Sequence, residues 1–375
     1  MSLRYYTAGE SHGRCLVGFL EGIPAGLALS EADVNPDLKR RMAGYGRGGR
    51  MKIESDEAIL LTGIFRGKTI GAPIAVMIEN KDWQLKKDLP QINFPRPGHA
   101  DLAGLLKYDE TDIRAISERS SARETAARVA LGAIAKKFLA CFNIDILGVV
   151  VEIGGIASHP GNLDIATLRA RVEDSPLRLF NPDKEKEIMA LIDRCKEEGD
   201  SLGGAFLVIA EGVPVGLGGH VQWDARLDAR LAQAIVSIQA MKAVEIGEGI
   251  ANARRHGSEA HDQIFYQDGK FSRSSNHAGG TEGGISNGEP ILVTGYMKPI
   301  SSIHKPMASV DMQTKEAGKS HYQRSDVCAV PAASIVGEAM VALVLAQAFL
   351  EKFGGDSIKE VTRNYESYLA RLKAR

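Results

Sequence analysis

The 375-residue chain lacks several features that would classify it quickly. It has four cysteines, at 15, 141, 195 and 328, and none sit in a Cys-x-x-Cys pair or other metal-ligand spacing. No zinc site or disulfide framework is therefore expected, and the thiols fit a reducing, cytoplasmic setting. There is no excess of one charge: 46 Lys and Arg against 47 Asp and Glu leave a net charge of −1, which argues against a whole-molecule polyanion binder. No apolar run reaches the ~18–20 residues of a membrane span without a charge or a glycine. The start, Met1-Ser2-Leu3-Arg4-Tyr5-Tyr6, has no basic stretch leading into an apolar one, so no signal peptide is expected. No Gly-x-Gly-x-x-Gly follows a strand-like run and no Gly-x4-Gly-Lys-[Ser/Thr] occurs, so a nucleotide-type cofactor would have to be held in another way.

What is present is an ordinary globular composition, 44% hydrophobic and 25% charged, and a sequence that repeats itself. Gly9-Glu10-Ser11-His12-Gly13 opens an apolar segment that ends in the turn Glu21-Gly22-Ile23-Pro24-Ala25-Gly26. Glycines around a histidine let the backbone approach a ligand closely. Asp200-Ser201-Leu202-Gly203-Gly204 opens a like segment ending at Glu211-Gly212-Val213-Pro214. Ser11 and Ser201, Glu21 and Glu211, and Pro24 and Pro214 share the offset 201 − 11 = 190. Later in each half, Arg119-Ser120-Ser121 and Arg324-Ser325-Asp326 each open a helix-like apolar run. The pattern predicts a duplicated unit, with halves of about 1–150 and 199–375 sharing one compact domain. Leu202 replaces His12 in the second copy, so the scaffold is doubled but the chemistry is not.

Periodicity and turn residues predict a short helix over 38–42, strands over 58–64 and 73–78, and a helix over 119–142 with a Ser121-to-Glu124 capping box. They also predict a strand over 144–156, helices near 185–198 and over 223–239, an irregular region over 251–290 and a strand over 291–296. Residues 332–353 read as a fully buried helix ended by Gly354-Gly355, with a polar surface helix after it. Cys141 and Cys328 read as small core residues.

Three groups could carry chemistry. Between Lys39 and Arg50 lie five cations and no acid, with four glycines from 44 to 49. Glycine amides and bidentate guanidinium groups suit a phosphate or carboxylate. An RNA-binding Arg-Gly segment is the rival reading of Arg47–Arg50. The two Arg-Ser starts place hydroxyls at helix N-termini, where an anion is favoured and simple capping is the alternative. In Arg96-Pro97-Gly98-His99-Ala100-Asp101 a histidine is fixed by Pro and Gly. Two candidate histidines without a Cys/His cluster point to proton transfer rather than a metal.

Taken together, these motifs resemble chorismate synthase over nearly the whole length. The resemblance rests on 9–13, the loop from Arg40 to Met51, 96–101, Arg119 to Thr125, Lys242-Ala243-Val244-Glu245-Ile246-Gly247 and Arg324-Ser325-Asp326. It implies the anti-1,4-elimination of phosphate from 5-enolpyruvylshikimate-3-phosphate to give chorismate, in the shikimate pathway. It also implies reduced FMN without net redox change and NADPH as a candidate reductant. The implied fold is α+β: a β-α-β sandwich with helices between two antiparallel sheets and an internal pseudo-two-fold repeat. A cytoplasmic homotetramer with no metal, nucleic acid or membrane partner is expected. The implied catalytic residues are His12 for the departing phosphate, His99 for the reduced flavin and Asp326, which helps the flavin N5 take the proton from substrate. The implied flavin contacts are Arg41, Arg47, Arg119, Ser120, Ser121, Gln239, Ala240, Gly283, Lys298, Pro299, Ile300, Ser301, Ser302 and Arg324. Ser11, Arg40, Arg50 and Arg123 are the implied substrate contacts. The chain departs from the family's usual pattern at Ile116-Ser117-Glu118, where glycines are frequent, and at Met307-Ala308-Ser309. A flavin reductase is the rival enzyme reading, separated by aerobic turnover with NADPH and FMN alone.

Overall fold

In the computed structural model, the described residues are 3–48, 55–81, 83, 90–161, 164–323 and 325–374. The first half opens with strands β1 (Arg4–Gly9) and β2 (Cys15–Glu21), then helix α1 (Glu31–Met42) and strand β3 (Ala58–Leu60). A small hairpin of β4 (Ile64–Phe65) and β5 (Lys68–Thr69) leads to β6 (Ile74–Glu79). Next come α2 (Asp101–Tyr108), α3 (Ile113–Ser120) and α4 (Thr125–Ala140). The chain continues with β7 (Asp145–Ile153), β8 (Ile156–Ala157), α5 (Ile165–Val172), α6 (Pro182–Glu197), β9 (Gly204–Glu211), α7 (Leu227–Val236) and β10 (Met241–Ile246). After it come the short α8 (Gly249–Asn252) and α9 (Gly257–Ala260), and the hairpins β11 (Ile264–Gln267)/β12 (Lys270–Arg273) and β13 (Thr281–Glu282)/β14 (Ile285–Ser286). Strand β15 (Ile291–Met297), the hairpin β16 (Ala308–Val310)/β17 (Ala317–Lys319), α10 (Val330–Phe353) and α11 (Ile358–Lys373) complete the chain.

The molecule is α+β, with antiparallel sheets. One sheet runs β1-β2-β6-β3 and the other β10-β15-β9-β7-β8, all pairs antiparallel. Helix α4 contacts β2, β6 and β7, α10 contacts β7 and β9, and the two helices pack on each other. A Cβ at Gly132 would sit 2.3 Å from the Ala339 Cβ, so this crossing needs a residue without a side chain. The all-round apolar run is buried as expected: α10 is long and apolar enough to cross a membrane, but 94% of its most apolar stretch lies inside the protein. The outer face of the second sheet is covered by α5, through Ile165, Leu168 and Val172 against Leu147, Val149 and Ile209.

Matching turns close β2 and β9. Gly26 and Gly216 have φ of +95° and +97°, a region open mainly to glycine. Each donates its N–H to a backbone carbonyl, that of Thr69 or Ser286, at 2.8 Å. The hydroxyls of Thr69 and Ser286 donate to the Pro24 and Pro214 carbonyls, at 2.6 Å in both cases.

Several local expectations change. The helix expected over 119–142 is broken at Ser121, whose backbone is extended (φ −65°, ψ 140°). Its hydroxyl accepts from the Arg123 N–H, but Glu124 does not complete a capping box. That carboxylate is drawn instead to Thr7, Arg128 and Gln239. The helix expected over 223–239 reduces to a short 3-10 turn and α7. The 251–290 region, expected to be irregular, contains the two short helices and two hairpins. Cys328 is buried, whereas Cys141 is exposed at the end of α4.

Candidate active site

The His12 loop joins β1 to β2 and is held from two sides. Gly9 (φ +98°) starts it, where any Cβ would fall 2.2 Å from the Cys15 carbonyl oxygen. The Asn80 side chain donates to the Glu10 and Gly13 carbonyls at 3.1 and 2.8 Å. From the other side, the end of α3 reaches over. Ser11 N–H donates to the Glu118 carbonyl at 3.0 Å, and the Glu118 carboxylate meets both the His12 N–H and its Nδ1 at 2.6 Å.

His99 is fixed in a similar way. Its Nδ1 lies 2.5 Å from Asp101, and Asp101 takes two bonds from the Arg96 guanidinium, at 2.7 and 2.9 Å. Burial opposes ionisation of Asp101, but Arg96 and His99 outweigh it and hold the carboxyl well below the usual carboxylate range. Arg96 also donates to Ser302 and Gln323, which ties the segment after β15 to the His99 loop.

A guanidinium cluster faces these histidines. Arg41 and Arg123 share Asp56, at 3.3 and 2.5 Å. Burial pushes the Arg41 guanidinium down to about 10, with Arg47 and Arg123 adding to the fall and Asp56 opposing it. Cations crowded in this way, with few acids, favour a bound anion. Arg47 turns inward to Asp326 at 2.6 Å, and Asp326 also accepts from the Gly48 N–H at 2.7 Å.

The two histidines, Arg41, Arg47, Arg96, Arg123 and Asp326 open on one cavity of about 430 Å³. It is lined by Ser11, His12, Arg41, Arg47, Arg96, His99, Ser120, Ser121, Arg123, Gln239, Ala240, Lys298, Ile300, Ser301, Ser302 and Asp326. One wall is apolar, built from Ile238, Ala332, Ala333 and Val336. The chorismate synthase family profile matches residues 3–350.

The chain belongs to the chorismate synthase family. It is 52% identical to a chorismate synthase of Geobacter sulfurreducens, over 99% of this chain and 100% of that protein. It is also 52% identical to one of Aquifex aeolicus, over 99% and 98%. A crystal structure of chorismate synthase superposes with a TM-score of 0.83 at 46% identity, covering 100% of this chain and 99% of that one.

Not every residue implied by the family resemblance reaches the cavity. Arg40 does not line it: pointing away from Arg41, it binds Glu338 twice (2.7 and 2.8 Å), Asp37 and Glu173. Lys136, Arg178 and the Gly148 N–H complete the shell around Glu338. Arg119 is spent on β1, donating to the Thr7 and Gly9 carbonyls. Gly283 forms the tight turn between β13 and β14, away from the cavity. Pro299 faces a neighbouring groove with Glu152, Lys242 and Tyr296. Arg50 and Arg324 lie outside the described residues.

The motifs 9–13 and 284–288 also have Gly-x-Ser-x-Gly spacing. Neither makes the strand-to-helix elbow of a serine hydrolase: the first joins two antiparallel strands, and Ser286 is the clamp on Pro214. The sequence reading missed Glu118, Asp56 and Asn80. Asp101 could have been found, standing two residues after His99. Glu338 could also have been flagged as the one acid in an apolar stretch from 329 to 350.

Buried carboxylates make stability depend on acid. Burial opposes ionisation of Glu338, but Lys136, Arg40 and Arg178 hold its carboxyl far below 4.5, and Asp101 is likewise held below 3.8. Folded values lower than unfolded ones mean the stabilisation is complete above those ordinary values and is lost as pH falls beneath them. The melting temperature is expected to hold level from pH 7 to about 5 and to drop steeply below about 4.5. A differential scanning calorimetry series that stayed level to pH 3 would contradict this.

Proposed function

We propose that this cavity eliminates phosphate from 5-enolpyruvylshikimate-3-phosphate to give chorismate, the reaction of the family. The observation that carries this is the meeting of Arg41, Arg47 and Arg123 with His12, His99 and Asp326 around one cavity. A substrate with two carboxylates and a phosphate needs several guanidinium groups to bind it. His12 protonates the departing phosphate, and Asp326, oriented by Arg47 and Gly48, assists removal of the proton lost from the ring.

The residues present suit FMN. The Gln239 Oε1 is buried without a hydrogen-bond partner among the described residues, which suits an N–H of a flat heterocycle. The apolar wall under Ala332 and Ala333 suits its face, and Lys298, Ser301 and Ser302 suit its phosphate. Ser120, Ser121, Ala240 and Ile300 complete this proposed binding set, with His99 placed for its proton. When bound and reduced, FMN supplies electron density to the breaking C–O bond. NADPH is the proposed reductant, tested by aerobic turnover with NADPH and FMN and no partner reductase.

The layout of the molecule is read as a β-α-β sandwich of two like halves in a single domain. The matched strand orders, the paired Thr69 and Ser286 clamps and the central α4–α10 pair support this. The inward turn of Arg47 favours a small anion over a nucleic acid. Exposed apolar groups, Tyr6 and Phe19 on the first sheet and Phe265 and Phe271 on the β11/β12 hairpin, support a homotetramer. Four free thiols support a cytoplasmic setting.

The test is anaerobic. With photoreduced FMN and 5-enolpyruvylshikimate-3-phosphate, the protein should release stoichiometric phosphate, and with oxidised FMN alone it should release none. Asp326→Ala should slow release by about 10²-fold or more. Wild-type protein that binds both ligands but releases no phosphate would end this reading.

A further inference from the structure

We infer that Glu118 is a positioning residue for His12, one that fixes which imidazole nitrogen serves the cavity. The inference rests on His12 being the acid for the departing phosphate, as proposed above. Residue 118 takes three contacts from two consecutive residues. Its carbonyl accepts from the Ser11 N–H at 3.0 Å, one carboxylate oxygen accepts from the His12 N–H, and the other meets the His12 Nδ1, both at 2.6 Å. A purely structural clamp would need only the two backbone bonds. The third contact engages the ring itself.

The chemistry of that contact has one attractive form. An ionised carboxylate only accepts hydrogen bonds, so at 2.6 Å the Nδ1 carries the proton. The neutral ring is therefore the Nδ1–H tautomer, and Nε2 is the nitrogen left for exchange in the cavity. When Nε2 is protonated, the adjacent negative charge stabilises the imidazolium. When that proton passes to the leaving phosphate, the ring returns to the tautomer that Glu118 already holds. Neither ring rotation nor proton shuffling is then needed between turnovers. A carboxylate behind a catalytic imidazole acts in this way in other enzymes.

The geometry makes the side chain separable from the fold. Arg119 grips Thr7 and Gly9, Asn80 grips Glu10 and Gly13, and the Ser11-to-118 bond is between backbones. Removing the Glu118 carboxylate frees the His12 N–H, but the loop keeps the Arg119, Asn80 and Ser11 supports.

The experiment compares wild type, Glu118→Ala and Glu118→Gln. The ¹⁵N chemical shifts of His12, assigned against His12→Ala, report the tautomer at alkaline pH without substrate or flavin. Wild type should show Nδ1–H, and Glu118→Ala should shift towards Nε2–H. In the anaerobic phosphate-release assay, Glu118→Ala should lose about 10- to 100-fold in kcat with KM changed less than about threefold. Glu118→Gln keeps an oxygen that can accept from Nδ1 and should regain part of the rate, and it supplies the readout if the alanine variant fails to fold. The inference is overturned if wild-type His12 is the Nε2–H tautomer, if Glu118→Ala leaves tautomer and kcat unchanged, or if the loss falls on KM alone. Failure of the wild type to release phosphate overturns the proposed function instead, and the tautomer measurement still decides this inference.

Discussion

His12→Ala should release phosphate about 10²–10⁴ times more slowly than wild type under anaerobic conditions with photoreduced FMN, the range expected when a positioned general acid is removed. The leaving group is a phosphate. Without a proton donor it must depart with its full charge into a cavity that also holds substrate carboxylates. Arg41, Arg47 and Arg123 remain in the variant, so binding should survive and the loss should fall on kcat rather than KM. The fold should persist, because the His12 side chain is 29% exposed and its loop is held by backbone bonds and by Asn80. Circular dichroism and thermal melting check this. Turnover within threefold of wild type would remove His12 from the mechanism while leaving the family membership intact.

Glu338→Ala should cost about 3–5 kcal/mol of stability, the usual result of removing one partner from a buried ion cluster. Glu338 is 1% exposed and faces Arg40, Arg178 and Lys136 together. Asp37 and Glu173 each face two of the same cations from the rim. With Glu338 gone, three cations share two carboxylates in the middle of the protein, and the Gly148 N–H loses its acceptor. The cluster joins α1, α4, α10, β7 and the 173–178 segment, so the damage should spread through both halves. Glu338→Gln keeps the shape without the charge and should fall between the two. Glu187→Ala breaks an exposed pair with Lys184 and should change stability by less than about 0.5 kcal/mol. Denaturant titration read by fluorescence measures all three. A Glu338→Ala protein as stable as wild type would show that the cluster is not a keystone of the fold.

Arg40 and Arg41 show where a linear reading stops. Side by side in one basic stretch, both looked like anion ligands. On a helix, adjacent residues point about 100° apart, so Arg41 faces the cavity and Arg40 faces Glu338. Arg119 is a similar case, since a cation next to two cavity-lining serines is consumed by the carbonyls of β1. Gly283 looked like a cofactor contact, but a positive-φ glycine serves a hairpin turn equally well. His12, His99, Arg41, Arg47, Arg123 and Asp326 were legible because each stands in a short motif whose composition already suggests its chemistry.

The sequence by itself determined the family, the α+β class and the buried helix, expected over 332–353. Those depend on motifs and periodicities that recur along the chain and are local in origin. It also exposed the offset of 190 that links β2 to β9. Only the tertiary structure decided which cations share the cavity, which carboxylate stands behind each histidine and which charges are locked in the core. The contacts from Glu118 to His12, from Arg47 to Asp326 and from Arg40 to Glu338 span 106, 279 and 298 residues. Contacts across such distances are set by how helices and sheets pack. A carboxylate carries no mark in the sequence of the cation or imidazole it will meet.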